Sequence, residues 1–289
     1  MILSRRTLMA GWLAAALPAA PQKSRVVVAR DSKPRLPGLL DRALQAFYDC
    51  DSPVEAWKRV ARPGERIGLK VNCLSGRGGS TSTALVEAVC ERLREAGLKP
   101  QNIVIWDRLS EDLESAGFRP SSGAGRIRVL GNEVLGYEDD LSAFGSVGSR
   151  LARTLTRECD VILNLPVLKD HGIVGVTLAL KNMFGAIHNP NKYHPNAGNP
   201  FVADVNALPE IRRKLRLTIC DGLTAQYEGG PSYMPQWSWV FGGVLVAADP
   251  VALDTVGWRI IEDKRAEKGL KPIRGSSREP RYIATAAET

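Results

Sequence analysis

Apolar and polar positions alternate along this chain in two rhythms. A β-branched run over 25–30 reads as a strand, and Leu36, Leu39, Leu40, Ala43, Leu44 and Phe47 then repeat at helical spacing. Ser52-Pro53-Val54-Glu55 combines a capping serine, a proline at the first helical position and a returning glutamate, which predicts a short helix through Val60. The next strand is expected over 66–71. A Gly/Ser loop follows, then a helix from about Thr83 whose Leu85, Val86, Val89 and Leu93 face a core and which Gly97 closes. Further on come a strand over 103–106, a helix over 111–116 stopped by Gly117, and a strand over 127–130. Residues 131–150 are polar and Gly/Ser-containing and predict an irregular excursion. The rhythm resumes with a strand over 161–165, a helix over 176–184, strands over 215–220 and 244–248, and a last long helix capped by Asp249-Pro250. Apolar strands alternating with amphipathic helices imply an α/β fold, a mainly parallel sheet with helices on both faces.

The first residues do not belong to that pattern. Ser4-Arg5-Arg6-Thr7-Leu8-Met9 sets a paired arginine before a short apolar stretch, Ala10 to Leu17, too short to span a bilayer. Residues 1–22 are therefore expected to be a twin-arginine signal peptide, and residues 23–289 a single α/β domain. The translocase is then a partner during export, the destination is periplasmic or secreted, and no membrane association is expected after cleavage. Composition is that of a globular protein, 44% apolar and 24% charged. The net charge of +8 is scattered, without a run of five basic residues, which argues against nucleic acid and for a small anionic ligand. Five cysteines stand singly with no CxxC, so iron–sulfur and zinc-ribbon sites are not expected. Cys159 and Cys220 read as buried hydrophobes.

In open α/β sheets, ligands bind beyond the carboxyl ends of the strands. Lys70 and Asn72, Asp107-Arg108, Lys169-Asp170-His171, Asp221 and Asp249 all follow predicted strands and together outline one cleft. The loop from Ser75 to Thr83 contains Gly78, Gly79 and Thr81 ahead of a helix. Its backbone N–H groups and hydroxyls suit an anion, although it lacks the Walker and GxGxxG spacings. Between Leu168 and His194 lie all three histidines of the chain, within 24 residues, together with Lys169, Lys181 and Asn182. Histidines can ligate a divalent metal or move protons near neutral pH, so His171, His188 and His194 are candidate metal ligands. A desolvated lysine can act as base or nucleophile, which makes Lys181, with Lys169 and His171, the catalytic candidates. Lys70, Asn72, Gly78, Gly79, Thr81 and Asn182 are the candidate cofactor or anion contacts.

The Lys169-Asp170-His171 segment, Thr177 to Asn182 with its Lys-Asn pair, Gly68-Leu69-Lys70-Val71-Asn72, and Asp249-Pro250-Val251-Ala252 resemble the family catalogued as domain of unknown function 362, from about Val26 to the C-terminus. Similar proteins include members fused to ferredoxin-type domains; this chain lacks clustered cysteines, so an iron–sulfur role does not carry over. The resemblance supplies no reaction. A second resemblance, of order and spacing only, is to nickel-pincer lactate racemases, where a His, a Gly-rich turn, a Lys and a further His follow one another. It implies that Lys181 tethers a nickel-pincer nucleotide, that His171 with His188 or His194 ligates nickel or exchanges the substrate proton, and that the Gly/Ser loop holds the nucleotide phosphate. The reading that results is an exported enzyme, or degenerate enzyme, with a metal or anionic-cofactor cleft at the strand ends. The alternative is a periplasmic binding protein for an anionic small ligand.

Overall fold

Strands that are apolar on both sides need cover on both sides, and the computed structural model, which describes residues 24–33 and 35–289, shows how they get it. The expected signal over 1–22 lies outside the described residues. The chain opens with β1 (Val27–Arg30), α1 (Leu36–Tyr48), α2 (Pro53–Val60), β2 (Ile67–Lys70), α3 (Thr83–Glu95), β3 (Ile103–Asp107), α4 (Ser110–Ala116), β4 (Arg128–Gly131) and α5 (Asn132–Leu135). A hairpin of β5 (Ser142–Phe144) and β6 (Val147–Ser149) precedes α6 (Arg153–Glu158), β7 (Val161–Asn164), β8 (Val167–His171), β9 (Gly175–Thr177) and α7 (Ala179–Asn182). The remainder is α8 (Phe201–Ala207), α9 (Pro209–Lys214), β10 (Leu215–Gln226), β11 (Ser238–Ala247), α10 (Pro250–Glu267) and α11 (Tyr282–Ala287).

The main sheet runs β1-β11-β10-β7-β2-β3-β4, with β8 and β9 attached beyond the end of β10. From β10 to β4 every pair is parallel, whereas β11 pairs antiparallel with both β10 and β1. Along the central strands successive side chains go to opposite faces. Ile67, Leu69, Ile103, Ile105 and Leu163 pack with Leu40 and Leu44 of α1, Trp57 of α2, and Leu85 and Leu93 of α3. Val104, Trp106 and Ile162 pack on the other face with Leu155, Val205, Leu253, Ile261 and Tyr282. The α/β class and the covered, mainly parallel sheet are therefore present as the apolar rhythm predicts. So are the caps: the Ser52 hydroxyl accepts from Glu55 N, and the Asp249 carboxylate accepts from Val251 N and Ala252 N. Among the described residues no helix is long and apolar enough to cross a membrane.

Three expectations need correction. The stretch 176–184 is not one helix: it is β9, the single turn α7 and a 3-10 turn over Met183–Ala186. Its apolar residues are buried whichever way they point, so a helical period could not be told from a buried strand. Lys169, Asp170 and His171 do not hang off β7 but form their own strand, β8, paired with the extended end of β10. The excursion at 131–150 is regular in part, holding α5 and the β5–β6 hairpin.

Candidate functional site

Parallel register decides what meets at the carboxyl edge. Lys70 lies opposite Asn164 of β7 and Trp106 of β3, so Lys70, Asn164 and Asp107 arrive at one level. The Lys70 ammonium is buried and donates to Asp107 Oδ1 at 2.7 Å, Asn182 Oδ1 at 3.1 Å and the carbonyl of Val71. All three of its protons are committed. Asn182 is the hub of this floor: its Oδ1 also accepts from Asn72 Nδ2, and its Nδ2 donates to Asn164 Oδ1 at 2.7 Å. Gly185 lies directly on the ion pair; a Cβ there would come within 2.6 Å of Lys70 Cε and 2.9 Å of Asp107 Oδ1. Lys70 and Asn182, expected as anion contacts, thus build the base of the cleft instead. Asn72 keeps one open group, a buried Oδ1 without a partner.

The Gly/Ser loop is also turned to internal use. Gly78 and Gly79 pack beneath Tyr233, whose ring a Cβ on Gly78 (φ +90°) would strike at 2.5 Å. Thr81 is buried, donating to Leu165 O and accepting from Asn72 N. The start of α3 already holds an anion, the carboxylate of Asp221, which accepts from Ser82 N at 2.7 Å. Burial pushes the Asp221 carboxyl up to about 6 in spite of that bond. Lys169 Nζ straps the loop down through Ser75 Oγ at 2.5 Å and Gly79 O at 2.8 Å. Burial lowers Lys169 to about 8, and it does not line the cleft. The expected phosphate cradle at Gly78, Gly79 and Thr81 is therefore filled by Tyr233 and Asp221.

What remains open is a cleft of about 370 Å³ lined by Lys181, His171, His194, Arg108, Asp112 and the committed floor, with Leu74, Ile173, Phe184 and two prolines for walls. His171 and Lys181, ten positions apart in sequence, share it. Lys181 Nζ rests 4.2 Å from the Phe184 ring centre, and among the described residues it has no hydrogen-bond or acid partner. Burial, then the charges of Lys70, Lys169 and Arg108, bring its ammonium down to about 7. The Arg108 guanidinium is likewise without a salt bridge among the described residues. Burial, then the nearby Asp107 carboxylate, raises Asp112.

The two cleft histidines face each other with ring centres 5.8 Å apart. His171 Nδ1 accepts from Ile173 N at 3.1 Å and Val174 N at 3.4 Å, so its proton resides on Nε2. Burial and Lys181 hold this imidazole down to about 2, so it stays neutral and offers a fixed N–H donor. That corrects both earlier readings of His171: metal ligation needs the lone pair that the backbone occupies, and a proton shuttle needs a ring that charges near neutrality. His194 is the complement. Its Nδ1 faces the carbonyl of Asn191 at 3.1 Å, which can only accept, so Nε2 carries the lone pair. Its pKa is lowered by burial and by Lys181. His188 is elsewhere, exposed and edge-on to Tyr137. The expected His171–His188–His194 metal set is not assembled, and among the described residues no three His, Cys, Asp or Glu side chains group so as to hold an ion. With the phosphate loop filled as well, these residues do not fit a nickel-pincer nucleotide.

The arrangement can bind a small anion, donate a hydrogen bond from a fixed position and exchange a proton near neutral pH. Asp112 is the contributor that the sequence reading left out, whereas Arg108 was placed at the strand ends but given no role. Arg108 directly follows β3 and Asp112 lies in the first turn of α4, so both stand at a strand's carboxyl end, where ligands bind in such sheets.

The sequence profile of a family described as domain of unknown function (DUF362) matches residues 67–259. A relative, the thylakoid-associated protein sll1697 of Synechocystis, is 29% identical over 191 residues, 63% of this chain and 59% of its own. The chain thus spans less than two thirds of that relative's length. The crystal structure of a Thermotoga maritima protein is similar over 75% of this chain and 58% of its own, at a TM-score of 0.42 and 11% identity.

Proposed function

Since this chain belongs to the DUF362 family, whose description names no reaction, we propose a function from the cleft: it is an enzyme site for a small organic anion. Arg108 anchors the anionic group, His171 Nε2–H holds a neutral acceptor atom, and Lys181, with His194 beside it, takes up or returns a proton. The observation that carries this is Lys181, a cation facing a cavity with no acid to pair it among the described residues and burial that halves its charge near pH 7. A general base works best when its pKa lies near the working pH. Export by the twin-arginine route, from Arg5 and Arg6, belongs to the same reading. A second reading, a periplasmic binding protein, draws on Arg108: a guanidinium with no salt bridge among the described residues suits capture alone.

The experiment has two stages. Small carboxylates at millimolar concentration are expected to raise the melting temperature by mass action. Arg108→Gln is expected to weaken that binding about tenfold or more, the worth of a charge-assisted hydrogen bond. Complete indifference of the wild type to every carboxylate would end the anion reading. The bound compound is then recovered after incubation in deuterated water: exchange or conversion supports the enzyme, and return of the compound unchanged supports capture.

A further inference from the structure

We propose that Lys181 is an imine-forming nucleophile and that the cleft takes 2-oxo acids with an apolar side chain. The proposal rests on the small-anion reading and narrows it. A base needs only to reach a proton, whereas a nucleophile must reach carbon with a lone pair, and the surroundings of Lys181 favour the latter. Its Nζ is held against the Phe184 ring, 4.2 Å from the centre, and not against a carboxylate that would keep it charged. Lys70 has its own acid in Asp107 and Lys169 its own carbonyl and hydroxyl, so each stays where it is and adds positive potential around the third lysine. Lysine is activated in this way when it is desolvated or set beside other cations. Burial and those neighbours leave about half of it uncharged at neutral pH.

The rest of the cleft matches the other parts of such a substrate. A 2-oxo acid carries a carboxylate beside the carbonyl to be attacked, and Arg108, which lines the cleft and has no salt bridge among the described residues, is the guanidinium for the carboxylate. His171 Nε2–H, fixed by the bonds to its Nδ1, is a neutral donor for the carbonyl oxygen, the atom on which charge develops. Leu74 and Ile173, 56% and 55% exposed, are large apolar residues left open to water at the mouth, where a substrate's side chain would cover them.

The step balances without any further reagent. The Nζ lone pair attacks the carbonyl carbon, and the C=O π pair moves to oxygen, next to His171. A proton passes from nitrogen to that oxygen through water, giving the carbinolamine. Asp112, whose carboxyl is raised by burial, protonates the hydroxyl; water leaves as the nitrogen lone pair forms C=N. The products are a protonated imine on Lys181, one water and the Asp112 carboxylate.

Sodium borohydride converts such an imine to a stable secondary amine. Full-length protein incubated with pyruvate or with 4-methyl-2-oxopentanoate and then reduced is expected to gain the mass of one acid less one oxygen atom. Peptide mapping is expected to find that mass on Lys181, with the branched acid trapped at lower concentration than pyruvate. Lys181→Arg, which keeps the charge, is expected to lose the adduct while its melting temperature still responds to the acid. Mapping of the wild type stands even if that variant fails to fold. An adduct on another lysine, or none, overturns the proposal. If the acids still raise the melting temperature without an adduct, the imine alone fails; if they bind not at all, the small-anion reading fails with it.

Discussion

Lys181 has a stability signature as well as a chemical one. Its pKa falls from 10.5 in a free side chain to about 7 in the fold, so between those values the unfolded chain binds a proton that the native chain lacks. Stability attributable to this residue therefore rises with pH across that window, and the penalty is complete below pH 7. Lys181→Met is expected to gain roughly 1–2 kcal/mol at about pH 6, after allowing for water in the cleft, and to gain nothing by about pH 10. Urea denaturation at both pH values checks this, and a loss at the lower one would make Lys181 a support of the fold. The same chemistry explains what could be read from sequence at this scale. Lys181 and His171 were identifiable because histidines and lysines crowd one segment. That Lys70, Asn182 and Thr81 are consumed internally was not, because their partners Asp107, Asn164 and Leu165 lie far away in sequence and only the packing of the fold brings them together.

At the scale of elements, the short turn that carries Lys181 cannot stand by itself. α7 has four residues, fewer than a self-sustaining helix needs, and its first N–H groups point at a carboxylate from another helix. Asp254 of α10 is fully buried and accepts from Ala179 N at 2.7 Å and Leu180 N at 3.1 Å. Asp254→Ala is expected to cost about 2–3 kcal/mol by orphaning both groups, and to weaken carboxylate binding because Lys181 loses its support. Burial pushes Asp254 up to about 8 against those two bonds, so the sign is opposite to that of the lysine. Above about pH 4 the native chain keeps a proton that the unfolded one sheds, and the stability this residue gives declines towards pH 8. The gap between wild type and variant should narrow over the same range in chemical denaturation; a gap that widens would contradict the assignment. Long elements with clean periodicity, such as α1 and α3, were legible in the sequence, and α10 was marked by its Asp249-Pro250 cap. The stretch from β8 to α7 was not, since nearly every residue in it is buried and no face is left polar to mark the period.

For the whole molecule, the α/β class could be read because a doubly covered sheet writes itself as apolar runs between amphipathic helices. Strand order could not, and the antiparallel edge of β11 and β1 came from the structure alone. The proposed export would act on the entire chain, and its test is direct. Replacing Arg5 and Arg6 by Lys is expected to keep the protein in the cytoplasm, followed by fractionation and immunoblotting, because the pair is the receptor-read feature. Delivery unaffected by the change would remove the twin-arginine route. The edge of the sheet would give that proposed route a reason in time. β1 leaves the ribosome well before the strand it pairs with, Val27 opposite Val246. A passage that started during translation would carry the first strand across the membrane long before its partner existed. A passage that waits for the finished chain lets the two meet on the side where both were made.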